Sequence, residues 1–243
     1  MIDKGCYLTF DMDWASDEVL GDFYDLIKKY SLIGTMHVTH ATQYIDIFIK
    51  DKYLDCGIHP NYNFLLNGNE HDNGKNIEDI LKNVCKLVPN ATCVRSHALT
   101  TSSLIAQAYT KYGIKYELNT YVPAYEGLNI KAFKAPLGDY KVLPFIYEDD
   151  LYLLDRNKND AEFYLSNVFD APRIFNFHPI HLFLNTDKPS TYEKARPYFG
   201  QYEALKKCVN IENYGVRDFF IDLVETGRKN GWKFEKICEG DWE

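Results

Sequence analysis

Two carboxylates one residue apart, Asp11 and Asp13 in the stretch FDMDWA, follow the apolar run Cys6-Tyr7-Leu8-Thr9-Phe10. If that run is a strand, its i and i+2 side chains share a face, with Cα atoms roughly 6.6 Å apart. Two like charges at that range need a cation, an arginine or a shared proton between them, failing which one carboxyl rises in pKa. Metal ligation and general base catalysis both use such a pair. The plainer alternative is that Asp13 caps the following helix and Asp11 is solvated.

Three further stretches offer complementary groups. In GIHPNYNFLL a proline follows His59, and a helical turn opening at Pro60 sets His59 and Asn63 on one side. An imidazole, a carboxamide oxygen and the Asp13 carboxylate would then make a three-point metal site with positions left for water. A helix-capping His59 and a turn-forming Asn63 fit the same letters. In VRSHAL, Arg95 beside Asp11 would hold that carboxylate ionised and oriented, as a general base requires, or else serve as a surface ion-pair partner. His97 either contacts substrate or satisfies a buried carbonyl. In FNFHPIHLFLN, His178 is the better candidate for a general acid, because imidazole can donate a proton near neutral pH. His181 lies further out, a substrate contact or a structural group, and Trp14, beside the aspartates, is a third candidate substrate contact. The acidic run YEDD, residues 147–150, offers a carboxylate to orient and charge His178. His37 and His40 read as packing and loop residues, and His71 as an exposed loop residue.

The elements that must position these groups alternate. Ser16-Asp17-Glu18 supplies an N-cap and an acidic first turn ahead of Val19, Leu20, Phe23, Leu26 and Ile27 at helical spacing. Strand signals follow at 35–39, 54–58, 92–95, 173–177 and 233–237, and helix signals at 43–50, 75–87, 101–112 and 216–228. Such alternation implies a mainly parallel sheet covered by helices, with functional groups at the carboxyl ends of strands. Asp11 and Asp13, His59, Arg95 and His97, and His178 all fall at such ends. The stretches 62–74 and 186–202 read as long loops that shape substrate access.

A chain of 243 residues with 46% apolar and 26% charged residues fits one large globular domain, residues 1–243. The net charge of −8, without any Lys/Arg cluster, argues against a nucleic-acid partner. No run reaches the length of a membrane span and the first residues lack signal-peptide character, so the expected compartment is the cytoplasm. Six scattered cysteines without C-x-x-C pairing read as reduced, buried small hydrophobes.

Taken in order, FDMDWA, GIHPNYN, VRSHAL and FNFHPIH resemble the polysaccharide deacetylases of the NodB-homology type, carbohydrate esterase family 4-like, and most closely the WbmS-like branch of lipopolysaccharide biosynthesis clusters. The resemblance runs from residue 7 to residue 187. It implies a distorted (β/α)7 barrel that uses a divalent metal, Zn²⁺ foremost, to hydrolyse N-acetyl groups on sugars. By match to the motifs, Asp11 corresponds to the general base, Asp13 and His59 to metal ligands, Arg95 to the tether of the base and His178 to the general acid. The family's second motif carries a histidine where this chain has Asn63, a neutral oxygen donor. Two other readings stand beside this one: a metal-independent amidase on the same barrel, and a sugar-binding protein without activity.

Overall fold

The computed structural model describes residues 5–68, 74–124, 130–154, 160–166 and 171–242. Its strands in chain order are β1 (Gly5–Asp11), β2 (Gly34–Val38), β3 (Leu54–Ile58), β4 (Cys93–Val94), β5 (Tyr116–Glu117), β6 (Phe133–Lys134), β7 (Lys141–Val142), β8 (Tyr147–Glu148), β9 (Arg173–Phe177) and β10 (Lys233–Glu235). Strands β1 to β5 lie side by side and parallel, with Asp11 opposite His37, Ile58 opposite Val94, and Val94 opposite Glu117. On the other flank of β1 lies β9, with Phe10 opposite Phe177.

The ring closes through one stretch of chain, residues 141–148. At its start it pairs with β5, where the Leu143 N–H donates to the Glu117 carbonyl at 2.8 Å, and in its middle Phe145 bridges Tyr121. At its end it pairs with β9, where the Ile146 N–H donates to the Ile174 carbonyl at 3.1 Å and Tyr147 lies opposite Phe175. Counting that stretch once, parallel strands occupy seven positions, and the architecture is the expected (β/α)7 barrel, distorted by the shortness of β4 and β5. β6 forms an antiparallel hairpin with β7, and β10 adds to the start of β1.

Strand alternation splits the core in two. Leu8, Phe10, Met36, Val38, Phe175 and Phe177 point outward into a large apolar layer shared with the helices. Tyr7, Cys93, Leu118, Leu143, Phe145 and Ile174 point the other way, and with Trp242 from the chain's end they form a separate plug inside the barrel. Two residues further along each strand the inward face turns polar, with Thr9, Asp11, Arg95 and Asn176 all buried. That change of character sets the floor of the site.

The helix Asp17–Tyr30 begins as expected: the Ser16 hydroxyl accepts from the Val19 N–H at 3.5 Å, so Ser16, not Asp13, is the cap, and Val19, Leu20, Phe23 and Ile27 are buried. The helix Ile77–Leu87 likewise starts on an Asn76 cap. Three expectations fail. The stretch 62–74, read as a loop, carries the short helix Asn63–Leu66. Residues 186–202 are not a loop but carry the helix Pro189–Ala195, whose proline sits in the first turn, where no N–H is needed. The turn expected at Pro60 does not form; helix begins only at Asn63, so His59 and Asn63 are not helical neighbours. His71 lies outside the described residues. Among the described residues, no helix is long and apolar enough to cross a membrane.

Candidate active site

Asp11 ends β1 facing inward at 1% exposure, and its hydrogen-bond partners are donors from three other strand ends. Its Oδ1 accepts from Arg95 Nη1 at 3.1 Å and lies 3.1 Å from His37 Nδ1, while its Oδ2 accepts from Asn176 Nδ2 at 2.8 Å. Burial alone would raise this carboxyl. Arg95, His59 and His37 outweigh burial and hold it well below the usual carboxylate range. Arg95 is fully buried and its Nε donates to the Leu118 carbonyl at 3.0 Å. Its Nη1 reaches Thr9 at 2.9 Å and Asn176 Oδ1 at 2.5 Å, and its plane lies over Phe145 at 4.5 Å. An arginine pinned on so many sides fixes the direction in which Asp11 presents its charge.

His37, expected to be a packing residue, is instead part of this cluster. The parallel register sets it directly across from Asp11, and Gly57 on the next strand leaves it room: a Cβ there would come within 2.8 Å of His37 Cδ2. Burial pushes this imidazole down to about 4, so it is neutral and serves as a donor to Asp11. Asn176, likewise unforeseen, bridges Arg95 and Asp11. The signal for both was present, since polar residues at inward positions of buried strands need partners.

Asp13 follows one turn above. Its Oδ2 is 2.7 Å from His59 Nε2 and 2.8 Å from His97 Nδ1, and these three groups have potential ligand atoms within 4.8 Å of one another. The approach of His59 lacks hydrogen-bonding geometry, and neither of its ring nitrogens has a hydrogen-bond partner. His97 Nδ1 is hydrogen-bonded to Asp13 Oδ2, whereas both buried His59 nitrogens are left with lone pairs or protons unmatched beside that carboxylate, an arrangement that suits a shared cation. One carboxylate and two imidazoles are the donor set of a three-ligand zinc site with open positions. Asn63 is not brought into this group on the same terms: its carboxamide oxygen accepts from the Thr100 hydroxyl at 3.0 Å. Where the second motif lacks a nitrogen donor, His97, expected to contact substrate or satisfy a buried carbonyl, sets a ring nitrogen beside Asp13.

His178 closes β9 and caps the helix Pro179–Leu184. Asp149 is the member of the acidic run that partners it: Oδ1 is 2.7 Å from Nδ1, and Oδ2 accepts from the His178 backbone N–H at 2.8 Å. Burial opposes the charged imidazole, but Asp149, then Asp150 and Asp11, raise it well above its ordinary value. Trp14 stacks on the ring at 5.3 Å and 26° and remains 39% exposed. Its backbone is left-handed, φ 59°, which turns the indole back over the pocket. His181 is buried behind His178, its Nδ1 3.0 Å from the Thr186 hydroxyl, and does not line the pocket.

Asp11, Asp13, Trp14, His59, His97, Leu99, Glu148, Asp150 and His178 surround one cavity of about 150 Å³. Pockets that swallow drug-sized ligands run about 300–1,000 Å³. This one takes an acylamino group and part of a ring, and leaves the rest of a substrate outside, against Trp14.

Over residues 8–196 the sequence matches the family model of the WbmS-like polysaccharide deacetylases. Among solved structures, the chain resembles a Bordetella bronchiseptica protein assigned to O-antigen biosynthesis as a polysaccharide deacetylase, with 30% identity, 91% of this chain and 90% of that one covered, and a TM-score of 0.84. A 4-alpha-glucanotransferase from Thermococcus litoralis shares the fold at 12% identity, with 97% of this chain and 37% of that one covered and a TM-score of 0.54. A family 4 acetyl xylan esterase from Clostridium thermocellum, solved with a cobalt ion, aligns at 13% identity over 97% of this chain and 89% of that one, with a TM-score of 0.45. No curated protein matches the sequence significantly.

Proposed function

Because the chain belongs to the WbmS-like polysaccharide deacetylases, we propose that it hydrolyses the N-acyl group of an acylamino sugar destined for a surface polysaccharide, in the cytoplasm and with the help of a divalent metal. The observation that carries the reading is the meeting, in one small cavity, of a base held ionised, an acid held protonated and a metal-type triad. Of the six cysteines expected to be buried, Cys6 and Cys93 are, Cys56, Cys85 and Cys208 are half-buried and Cys238 is exposed. The Bordetella relative's assignment to O-antigen biosynthesis supports a precursor of that polymer as substrate.

Asp13, His59 and His97 would hold the ion, with zinc favoured by their nitrogen and oxygen donors. When bound, the metal supplies Lewis acidity to the acyl oxygen and acidity to water. Asp11 takes a proton from the attacking water, and the Arg95, His37 and Asn176 contacts keep its lone pair aimed at the cavity while it does so. His178 donates its Nε2 proton to the departing amine, and Asp149 stabilises the imidazolium from the Nδ1 side. Trp14 shields the reacting groups and offers its indole face to the sugar ring. The proposed catalytic unit is the whole barrel, residues 1–243.

The test is acyl release from a panel of N-acetylated and N-formylated nucleotide sugars and glycans, run with metal-loaded, chelated and zinc-restored protein. Release that stops on chelation and returns with zinc is expected. Undiminished release after complete metal removal would favour the metal-independent amidase, and ligand binding with no release under any metal would favour a binding protein.

A further inference from the structure

We propose that Glu148 is the proton reservoir that recharges His178 between turnovers. The inference rests on the deacetylase reading and adds to it a group that neither the motifs nor the mechanism above employs.

Each catalytic cycle strips His178 of its Nε2 proton, and the ring is closed in on the sides away from the cavity. Asp149 occupies Nδ1, Trp14 covers one face, and the His181 ring stands edge-on at 5.7 Å. A replacement proton must therefore arrive from the cavity. There β8 delivers Glu148, whose carboxyl reaches within 4.8 Å of both a His178 ring nitrogen and an Asp11 oxygen. One water bridges such a span.

Glu148 is 6% exposed, and its two oxygens are used unequally. Oε1 accepts from Asn176 Nδ2 at 3.1 Å, whereas Oε2 is buried without a partner. A lone carboxylate oxygen in that position is costly, and a carboxylic acid with an O–H to offer is less so. Burial foremost, and then Asp150, push this carboxyl up to about 8, so that it carries a proton at neutral pH.

The step balances without any redox partner. The Glu148 O–H bond breaks and an N–H bond forms at His178 Nε2, leaving a Glu148 carboxylate and an imidazolium. As products leave, the Glu148 carboxylate is reprotonated through the water that refills the cavity, by the proton that Asp11 took from the attacking water or by a hydronium ion or buffer acid, and Asp11 gives up its proton to that water and returns to its carboxylate.

The test compares wild type with Glu148→Gln, which keeps an acceptor for Asn176 and removes the ionisable proton. Wild type should show a protonated-carboxyl infrared band at pH 7 that Glu148→Gln lacks. With whichever panel compound the wild type hydrolyses, the steady-state rate of the variant should fall about tenfold more than its first-turnover rate, within the range of general acid effects. Added 4-methylimidazolium should restore multiple turnover to the variant and leave wild type unaccelerated. A missing band, equal losses in both phases or absence of rescue overturns the relay alone. A wild type that hydrolyses nothing overturns the deacetylase reading and the relay with it.

Discussion

Asp149 grips His178 with both carboxylate oxygens, one 2.7 Å from the ring Nδ1 and the other taking the backbone N–H at 2.8 Å. The second bond matters as much as the first. It ties the carboxylate to the same residue's main chain, so ring and partner cannot drift apart when the proton leaves Nε2. A cation at the start of a helix also faces an unfavourable dipole, and Asp149 offsets it.

Replacing Asp149 with asparagine removes the principal group that raises the imidazole. The basic limb of the kcat/KM profile, which reports the free enzyme's acid, should then move to lower pH, and the maximum should fall by about a hundredfold. Stability should respond with the same sign. Because the folded His178 binds its proton more tightly than the unfolded one, its contribution is complete below about pH 6.5 and declines as pH rises towards the raised folded value. Asp149→Asn should flatten that decline in denaturant titrations between pH 6.5 and 9. An unmoved basic limb would assign the proton donor elsewhere.

His97 and Asn63 compete for the third place beside Asp13 and His59, and metal content separates them. His97→Ala takes away a nitrogen 2.8 Å from Asp13 and should lower zinc affinity by a hundredfold or more, on the order of losing a ligand or its direct support. Asn63→Ala loses a hydrogen bond with Thr100 and should retain stoichiometric zinc by elemental analysis. The opposite ranking would return Asn63 to the site.

Arg95 and Asp11 form a buried ion pair in which each partner depends on the other. Arg95→Ala strands a carboxylate at 1% exposure, and breaking such pairs costs about 3–5 kcal/mol. The variant should melt many degrees below wild type and lose activity with it. Arg95→Lys keeps the charge but lacks the fork that serves Leu118, Thr9 and Asn176 together, so it should recover only part of the stability. Equal melting temperatures for wild type and Arg95→Ala would show that Asp11 does not need the guanidinium.

How far the letters could be read depended on the length of the signal. β3 and β9 appear over the residues their apolar runs occupy, 54–58 and 173–177, and the helix Val216–Lys229 follows its periodic face. β5, β7 and β8 have two residues each, too few for any period, and the stretch that closes the barrel was therefore invisible. The site divides in the same way. Asp11, Asp13, His59 and His178 follow strands long enough to be read, Arg95 follows the short β4, and all of them meet. His37, Asn176 and Glu148 owe their place to register between strands distant in sequence, as with Asp11 opposite His37 and Glu148 opposite Asn176. The contact of His97 with Asp13 was hidden, because a two-residue β4 conceals how the chain beyond it bends towards Asp13.

His37 and His178 stand at opposite ends of one cluster, and their pH behaviour should be opposite in sign. His37 is fully buried and pushed down to about 4, chiefly by burial, so the unfolded chain binds a proton that the folded one refuses. Its contribution is therefore present above pH 6.5 and is lost as pH falls through 4, amounting to about 3 kcal/mol in all. In His37→Asn, which keeps a donor for Asp11 and has nothing to titrate, the drop in unfolding free energy between pH 6.5 and 4 should shrink by about that amount, whatever its starting stability. Denaturant titrations at half-unit steps measure the slope directly. A slope identical to wild type would mean that His37 is already charged in the folded protein, and Asp11 would then have a cation rather than a neutral donor at its side.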